Sequence, residues 1–480
     1  MLKTYRNLRL LFLVILLAFP KTAVHAAKEP DDTLHIVLWY NFFIPKDFDL
    51  VAKEASRITK EKIGLDVQFL PVISATTQTT LDRAKKEGIT IDVLSSSDTM
   101  AMNDLLETYG PDVLEIATPD ELAYTKRNGI LYSLPSKADY VASAGIAFRK
   151  DILTKYGIDV SEIKTLDDVD QLFSFIHERE KDLTIVSPLE TQRGFLTRFY
   201  TFRSIPNTVF DFQEDDDTLI NFYASEEYRS MVELFRKWYL AGYLPGELPL
   251  KNARGTELMQ TGNLFSYFCA YKPGIEWEES VSSGCDIVVV PLREPRITNL
   301  STRTSNWGIA KESKHPREAM QFLNLLYSDR DLVNLLINGI EGIHYERLPD
   351  GTIDFPERVT AQNSGYYPNI GWHFPNQMLS FIWNGNDPDL WEKTRQFQQE
   401  ADVAKSIGFS FDPILVEIEN TRLNEIAQKY TYGLETGALD PKIYLPQMLQ
   451  EMEAAGSKKV EREILRQYHY WKSVSGKDET

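Results

Sequence analysis

The residue types that most often carry chemistry are present here, but not in the arrangements that chemistry needs. The chain has seven histidines and two cysteines, and they never cluster at metal-ligand spacing. His177-Glu178 begins a zinc-protease-like pattern, yet Lys181 stands where a second histidine is required, so the pair reads as an ordinary helix surface. There is no GxSxG elbow, no GxxxxGK phosphate cradle and no GxGxxG. The run EDDD at Glu214 to Asp217 lacks the alternating ligands and the glycine of a calcium loop, and reads as a solvated turn. A carboxylate pair for glycoside hydrolysis stays open, because 70 acidic residues supply candidates and two need only meet in space.

Aromatic residues set among polar ones are the stronger signal. Phe, Trp and Tyr make up 12% of the chain, with eight tryptophans, which is high for an acidic sequence. KPGIEWEE (Lys272 to Glu279) puts Trp277 among carboxylates. YYPNIGWHFPNQMLSFIWNG (Tyr366 to Gly385) gathers Tyr366, Tyr367, Trp372, His373, Phe374, Trp383 and several amides in one loop-rich stretch. Such a mixture suits a sugar, whose C–H faces pack on aromatic rings while its hydroxyls need several directional partners. Core packing accounts for any single one of these tryptophans. The set, with so many polar neighbours, favours a site.

The elements that must position these rings follow from the apolar pattern. Lys3, Arg6 and Arg9 precede the apolar run Leu10 to Phe19, which is followed by Pro20 and TAVHAA. That order describes a secretory signal, cut after Ala26; the run is too short to span a membrane comfortably, and an uncleaved anchor is the alternative. A lipid anchor would need a cysteine at the cleavage site, where there is none. The mature chain is therefore expected outside the cytoplasm, whether secreted, at the cell surface or in a periplasm. There Cys269 and Cys285 could form one disulfide or remain two buried thiols. The net charge of −18 argues against nucleic acid and anionic membrane as partners.

Beyond the leader, LHIVLWY (Leu34 to Tyr40), LDVQFLPV (Leu65 to Val72) and IDVLSSSD (Ile91 to Asp98) read as strands separated by helices that stop at Gly64 and Gly88. Alternating strands and helices imply parallel pairing, with ligands at the carboxyl ends of the strands. Trp39, Tyr40 and Asp98 fall there. A second series begins with a strand at Ala144, followed by helices over Asp151 to Tyr156 and Leu166 to Arg179. A strand ends at Ile185-Val186. From Leu183 to Asp286 helices are expected to predominate, the clearest being Glu226 to Leu240, and DIVVVP (Asp286 to Pro291) reads as a buried strand. Three helices are predicted between Pro413 and Trp471, with Asp440-Pro441 as a start and Gly456 as a stop.

At this point the chain resembles a known family. NWGIAKESKHPREAMQFLNLLYSD (Asn306 to Asp329) is similar to the signature of extracellular solute-binding proteins of sugar-type ABC importers. NGIEGIHYERLPDGTIDF (Asn338 to Phe355), FRKDILTKYGIDVSEIKTLDDV (Phe148 to Val169) and the passage Gly408 to Trp471 are similar to the same subfamily, the last resembling a C-terminal domain of unknown function. Members often carry a lipobox cysteine, and this chain departs from that pattern. The resemblance implies an α/β, two-lobed, periplasmic-binding-protein-like fold of type II (maltose-binding-like), with a hinge and an interlobe cleft. On that basis the signal peptide is 1–26, lobe 1 is 33–139 with 300–345, lobe 2 is 140–299 with 346–407, and 408–480 is a helical segment packed on lobe 2.

The same resemblance places Trp39, Tyr40, Asp98, Trp277, Trp307, Trp372 and His373 at the cleft, with Glu190 and Arg193 as contacts from lobe 2. Trp307 is expected to turn its ring to the cleft, with Gly308 leaving room for a neighbouring backbone. The function that follows is reversible capture of a carbohydrate, an oligosaccharide by expectation, and its delivery to the membrane permease of an ABC importer. Such a protein is not an enzyme, needs no cofactor, and is expected to be a monomer; no residue is assigned as a metal ligand, and a structural metal ion in either lobe stays open. Rival readings are a secreted glycoside-active enzyme, or the same fold binding peptides or another polar solute.

Overall fold

The computed structural model describes residues 33–475 except 42, 74–75, 97, 139, 188–204, 214–217, 245–254 and 304–306. The leader, the EDDD run, Glu190 and Arg193 lie outside the described residues. The elements that frame the site begin with β1 (Thr33–Tyr40), α1 (Phe48–Ile63), β2 (Asp66–Ile73) and β3 (Val93–Ser95). Then come β4 (Ser143–Arg149), α2 (Leu166–Arg179), β5 (Thr184–Ser187), α3 (Glu226–Leu240), β6 (Leu264–Tyr271), α4 (Ile275–Ser283) and β7 (Ile287–Pro291). A short strand, Trp307–Ile309, precedes α5 (Pro316–Ser328) and α6 (Arg330–Asn338). A long irregular segment leads to α7 (Glu417–Glu435), α8 (Pro441–Ala454) and α9 (Ser457–Ser475).

Local signals explain these boundaries. In α1 the buried side chains Phe48, Val51, Ala55 and Ile58 recur at helical spacing, and Gly64 (φ 72°) takes the left-handed conformation that stops it. The Thr165 hydroxyl accepts from the Asp168 amide while the Asp168 carboxylate accepts from the Thr165 amide, closing a capping box on α2. The Asp440 carboxylate accepts from the Lys442 amide and Pro441 occupies the first turn of α8.

Two four-stranded sheets organise the chain. In the first, the order is Trp307–Ile309, β3, β1, β2; β1 runs parallel to β2 and β3, and the returning strand is antiparallel to β3. In the second, the order is β5, β6, β4, β7, with β4 antiparallel to both neighbours and β5 parallel to β6. Each sheet has its own core. Leu34, Ile36 and Tyr40 pack with Val51 of α1, Phe322 of α5 and Leu336 of α6. Phe148, Phe173, Trp238 and Phe265 pack in the other, where Leu423, Met448 and Ile464 of the C-terminal helices join them. The molecule is therefore a two-lobed α/β protein with C-terminal helices seated in the second lobe's core. Within 346–407, Tyr366, Ile370 and Phe374 belong to the first core. Among the described residues no helix is long and apolar enough to cross a membrane.

Among the described residues between Leu183 and Asp286 helices do predominate, α3, Gly255–Gln260 and α4, but the sequence pattern passed over β6, which forms the middle of the second sheet between β5 and β4. Six of its eight residues are buried, from Leu264 to Cys269, so it has no polar face and no alternation to betray it. Of the two readings left open for the cysteines, the structure has the free thiols, Cys269 buried and Cys285 half-buried. Cys269 lies opposite Gly145, whereas Ile287, two residues beyond Cys285, lies opposite Arg149 on the other side of β4. The span from Gly145 to Arg149 is roughly 13 Å of strand, and a bridge needs Cα atoms within about 7 Å.

Three segments cross between the lobes side by side. Residues Arg296–Ile297 pair in parallel with Asp402–Val403. The Gln398 side-chain amide donates to the Ala138 carbonyl at 2.5 Å, and the Lys137 amide donates to the Pro375 carbonyl at 2.6 Å. Tyr140, Val141, Ile297, Ala401 and Ile407 form a small core of their own at this crossing.

Candidate functional site

The carboxyl end of β1 carries the first group of rings. Strand alternation sends Trp39 and Tyr40 to opposite faces. Trp39 is half-buried, with Trp372 edge-on at 5.7 Å between ring centroids and the His373 imidazole tilted at 4.9 Å. Trp372 and His373 come from a single helical turn, Gly371–His373, so one short element supplies both. Trp372 is half-buried too, leaving ring surface on both tryptophans open to a ligand.

Tyr40 is committed to the core. The Tyr366 hydroxyl donates to the Leu336 carbonyl at 2.8 Å and accepts from the Tyr40 hydroxyl at 3.1 Å. Burial pushes the Tyr40 phenol well above its usual range, and the nearby Tyr366 adds to that. Burial raises Tyr366 likewise, so both stay neutral and fix the register of β1 against α6.

Trp307 also lies in the core rather than on a cleft wall. Its ring is fully buried, stacks on Phe374 at 5.7 Å, and its indole N–H donates to the His373 carbonyl at 2.6 Å. It acts on the ring cluster from beneath, through the turn that bears Trp372. The neighbouring glycine does what its position suggests. A Cβ at Gly308 would lie 2.5 Å from the Tyr132 carbonyl oxygen and 2.8 Å from Cγ2 of Thr99, so only glycine admits that backbone.

The second group of rings borders a hollow between α4 of the second lobe and α6 of the first. Trp277, half-buried on α4, stacks on Trp383 at 6.0 Å and 27°, and the Trp383 indole N–H donates to the Asn338 side-chain oxygen of α6 at 3.2 Å. Tyr367 meets Trp383 edge-on at 5.3 Å. Asn369, Gln377 and Asn386 add amide groups to the hollow, and Trp391 closes it, with its indole N–H donating to the Ser380 carbonyl at 3.0 Å. Glu278 also lines it and is held by the buried Lys272 ammonium at 2.6 Å. Burial raises the Tyr367 phenol, and the Glu278 carboxylate raises it further, so it stays a neutral hydrogen-bonding group. The half-buried Trp277 indole, backed by the buried Trp383, with amides and one carboxylate can hold a polyhydroxylated ring on its face and along its edge.

Asp98 stands at the end of the first sheet as expected, but it is exposed and paired with Lys311 at 2.7 Å. The structure thus brings Trp39, Trp372 and His373 together and sets Trp277 against Trp383. It puts Tyr40 and Trp307 in the core, while Glu190 and Arg193 lie outside the described residues. Asn338, Asn369, Gln377, Asn386 and Trp391 were missed by sequence reasoning. Asn338 shows no local signal, since it is a buried helix-end residue; Asn369 and Gln377 stood inside the quoted aromatic stretch. Among the described residues no group of three His, Cys, Asp or Glu is placed to hold a metal ion.

Comparison with known proteins supplies the context. A solved structure of the N-glycan transport solute binding protein (NgtS) from Streptococcus pneumoniae superposes with a TM-score of 0.78, covering 92% of this chain and 98% of that one at 20% identity. This chain has the fold of a two-lobed solute-binding protein. The same relative in complex with Man5GlcNAc superposes at 0.73, covering 92% and 99% at 20% identity. A protein of Streptococcus pneumoniae serotype 4 named carbohydrate ABC transporter substrate-binding protein is 24% identical over 442 residues, 88% of each chain. Residues 405–473 match a family model described as a domain of unknown function, DUF3502. That match spans α7 to α9, so the helices packed in the second lobe's core of this solute-binding fold are that domain.

Proposed function

We propose that this protein is the extracytoplasmic substrate-binding component of an ABC importer and captures an oligosaccharide between its lobes. The observation that carries this reading is the hollow in which Trp277 of one lobe stacks on Trp383, itself tied to Asn338 of the other. A ligand that displaces or extends that contact touches both lobes at once. It thereby favours the closed arrangement in proportion to its preference for it. Trp39 and Trp372 offer a second aromatic platform, so a ligand of several sugar units fits better than a single one. Asp98 is assigned as a polar contact, and Glu190 and Arg193 are kept as candidate contacts by residue type alone.

Capture of this kind is binding without bond making, so the protein is not an enzyme. It works as a monomer and passes its carbohydrate to the membrane permease of the importer. The naming of the Streptococcus pneumoniae relative, and the glycan complex of NgtS, support both the ligand class and the transporter. A thermal-shift screen over monosaccharides, oligosaccharides and peptides tests the reading, because a ligand stabilises in proportion to the logarithm of its concentration over its dissociation constant. Oligosaccharides are expected to raise Tm most. A response to peptides with none to any carbohydrate would overturn the ligand class.

A further inference from the structure

The C-terminal helices supply no residue to the hollow, yet they reach the crossing between the lobes. Trp471 and Tyr468 of α9 stack at 5.6 Å and 24°, and both rings meet Phe409, at 5.8 and 5.2 Å. Phe212 of the second lobe lies on Tyr468 at 4.2 Å. This aromatic group sits at the end of the last crossing segment, whose Gly408 has φ +89°. A methyl built on Gly408 would lie 3.7 Å from Cζ2 of Trp471 on one side and 3.8 Å from the Lys126 carbonyl of the first lobe on the other. Gly408 is therefore where the domain, the crossing and the first lobe converge.

The crossing is bracketed there by hydrogen bonds. The Asn299 side chain donates to the Ser406 carbonyl at 2.9 Å and accepts the Gly408 amide at 2.9 Å, which ties two crossing segments together. The first lobe contributes the Asn128 amide, which donates to the Gly408 carbonyl at 3.4 Å, a long contact. Lobe rotation requires a few crossing residues to change φ and ψ. At Ser406–Phe409 that change is resisted from one side by Asn299 and from the other by a ring cluster anchored in the second core, while the first lobe's Asn128 amide makes a long contact and Ile407 packs in the small core at the crossing.

We propose that the C-terminal helical domain clamps the lobe crossing through Trp471, and so sets the balance between open and closed arrangements from a distance. Trp471 is a positioning residue in this account. The inference rests on the two-lobed capture reading, but its test does not require the ligand.

The test measures lobe separation of the intact chain by small-angle scattering without ligand, for wild type, Trp471→Ala, Trp471→Phe and Gly408→Ala. Trp471→Ala and Gly408→Ala are each expected to change the ligand-free separation, and Trp471→Phe, which keeps a ring on Phe409, to stay near wild type. The apparent affinity for an oligosaccharide should then move by roughly threefold or more in the two altered variants, because affinity scales with the population of the competent arrangement. A folded Trp471→Ala with unchanged separation and affinity and only a lower Tm would overturn the clamp. If Trp471→Ala does not fold, Gly408→Ala decides, and unchanged separation there overturns it. Absence of carbohydrate binding in wild type with altered separation in the variants would strike the capture reading and leave the clamp standing.

Discussion

The indole N–H of Trp307 donates to the main-chain carbonyl of His373, 66 residues further along, at 2.6 Å. This bond ties the strand that returns to the first sheet to the turn that presents Trp372. It makes Trp307 a support for the ring cluster instead of a member of it.

Trp307→Ala is accordingly expected to destabilise the fold by about 3–5 kcal/mol, the cost of emptying a fully buried large aromatic. Trp307→Phe leaves the His373 carbonyl without its donor and should cost about 1–3 kcal/mol. Urea unfolding of the two variants measures both. This reverses the expectation that the Trp307 ring turns to the cleft, where its loss would spare the fold.

Trp39→Ala and Trp372→Ala should behave in the opposite way. Both rings are half-buried, so folding changes little, but each loses an apolar face for the ligand. A loss of ~1.5–3 kcal/mol per ring corresponds to a roughly 10- to 150-fold weaker Kd for an oligosaccharide. Calorimetric titration of the variants, beside their melting curves, separates binding from stability.

Trp277→Ala removes one half of the stack with Trp383. If the two ring groups engage different units of one ligand, this change weakens longer oligosaccharides more than disaccharides. Titrating a series of increasing chain length checks it. Equal losses across the series would place both groups around a single sugar unit.

Acid should loosen the C-terminal domain through Glu463. Hydrogen bonding to the Arg466 guanidinium, helped by Gln467, holds its carboxyl down to about 2 from the ordinary 4.5. A depressed carboxylate stabilises the fold above its unfolded pKa and loses that contribution as pH falls from 4.5 towards 2. Gln467 also donates to the Asp412 carbonyl at 2.7 Å, so the same group ties α9 to the segment before α7. Unfolding measured against pH should show a shallower acid limb in Glu463→Gln than in wild type.

Much of this fold was legible in the chain because its signals are local. The Ser225 hydroxyl caps α3, whose buried Met231, Phe235 and Trp238 repeat at helical spacing, and the helix spans the residues the pattern marked. Asp440 with Pro441, and Gly456, bound α8 equally well. The failures are cases where the deciding partner is remote in sequence. β6 is buried on both faces, so Phe265, Tyr267 and Phe268 give no period of two. Trp307 was read from polar chain neighbours, whereas its environment is Phe374 and the His373 carbonyl. The pairing of Cys269 and Cys285 depended on strand register, which no spacing in the sequence reveals. Of the site, the rings were visible as types, and Trp39 with Trp372 and His373 did come together. The amides that accompany Trp277 and Trp383 converge only in space.

The most direct measurement is a calorimetric titration of the intact chain with neutral oligosaccharides, repeated for a Trp39→Ala/Trp277→Ala double variant. Capture between the lobes predicts saturable one-to-one binding with a negative heat-capacity change from buried apolar surface, lost in the folded double variant. No binding of any oligosaccharide by the wild-type chain, or binding undiminished in the double variant, would contradict it.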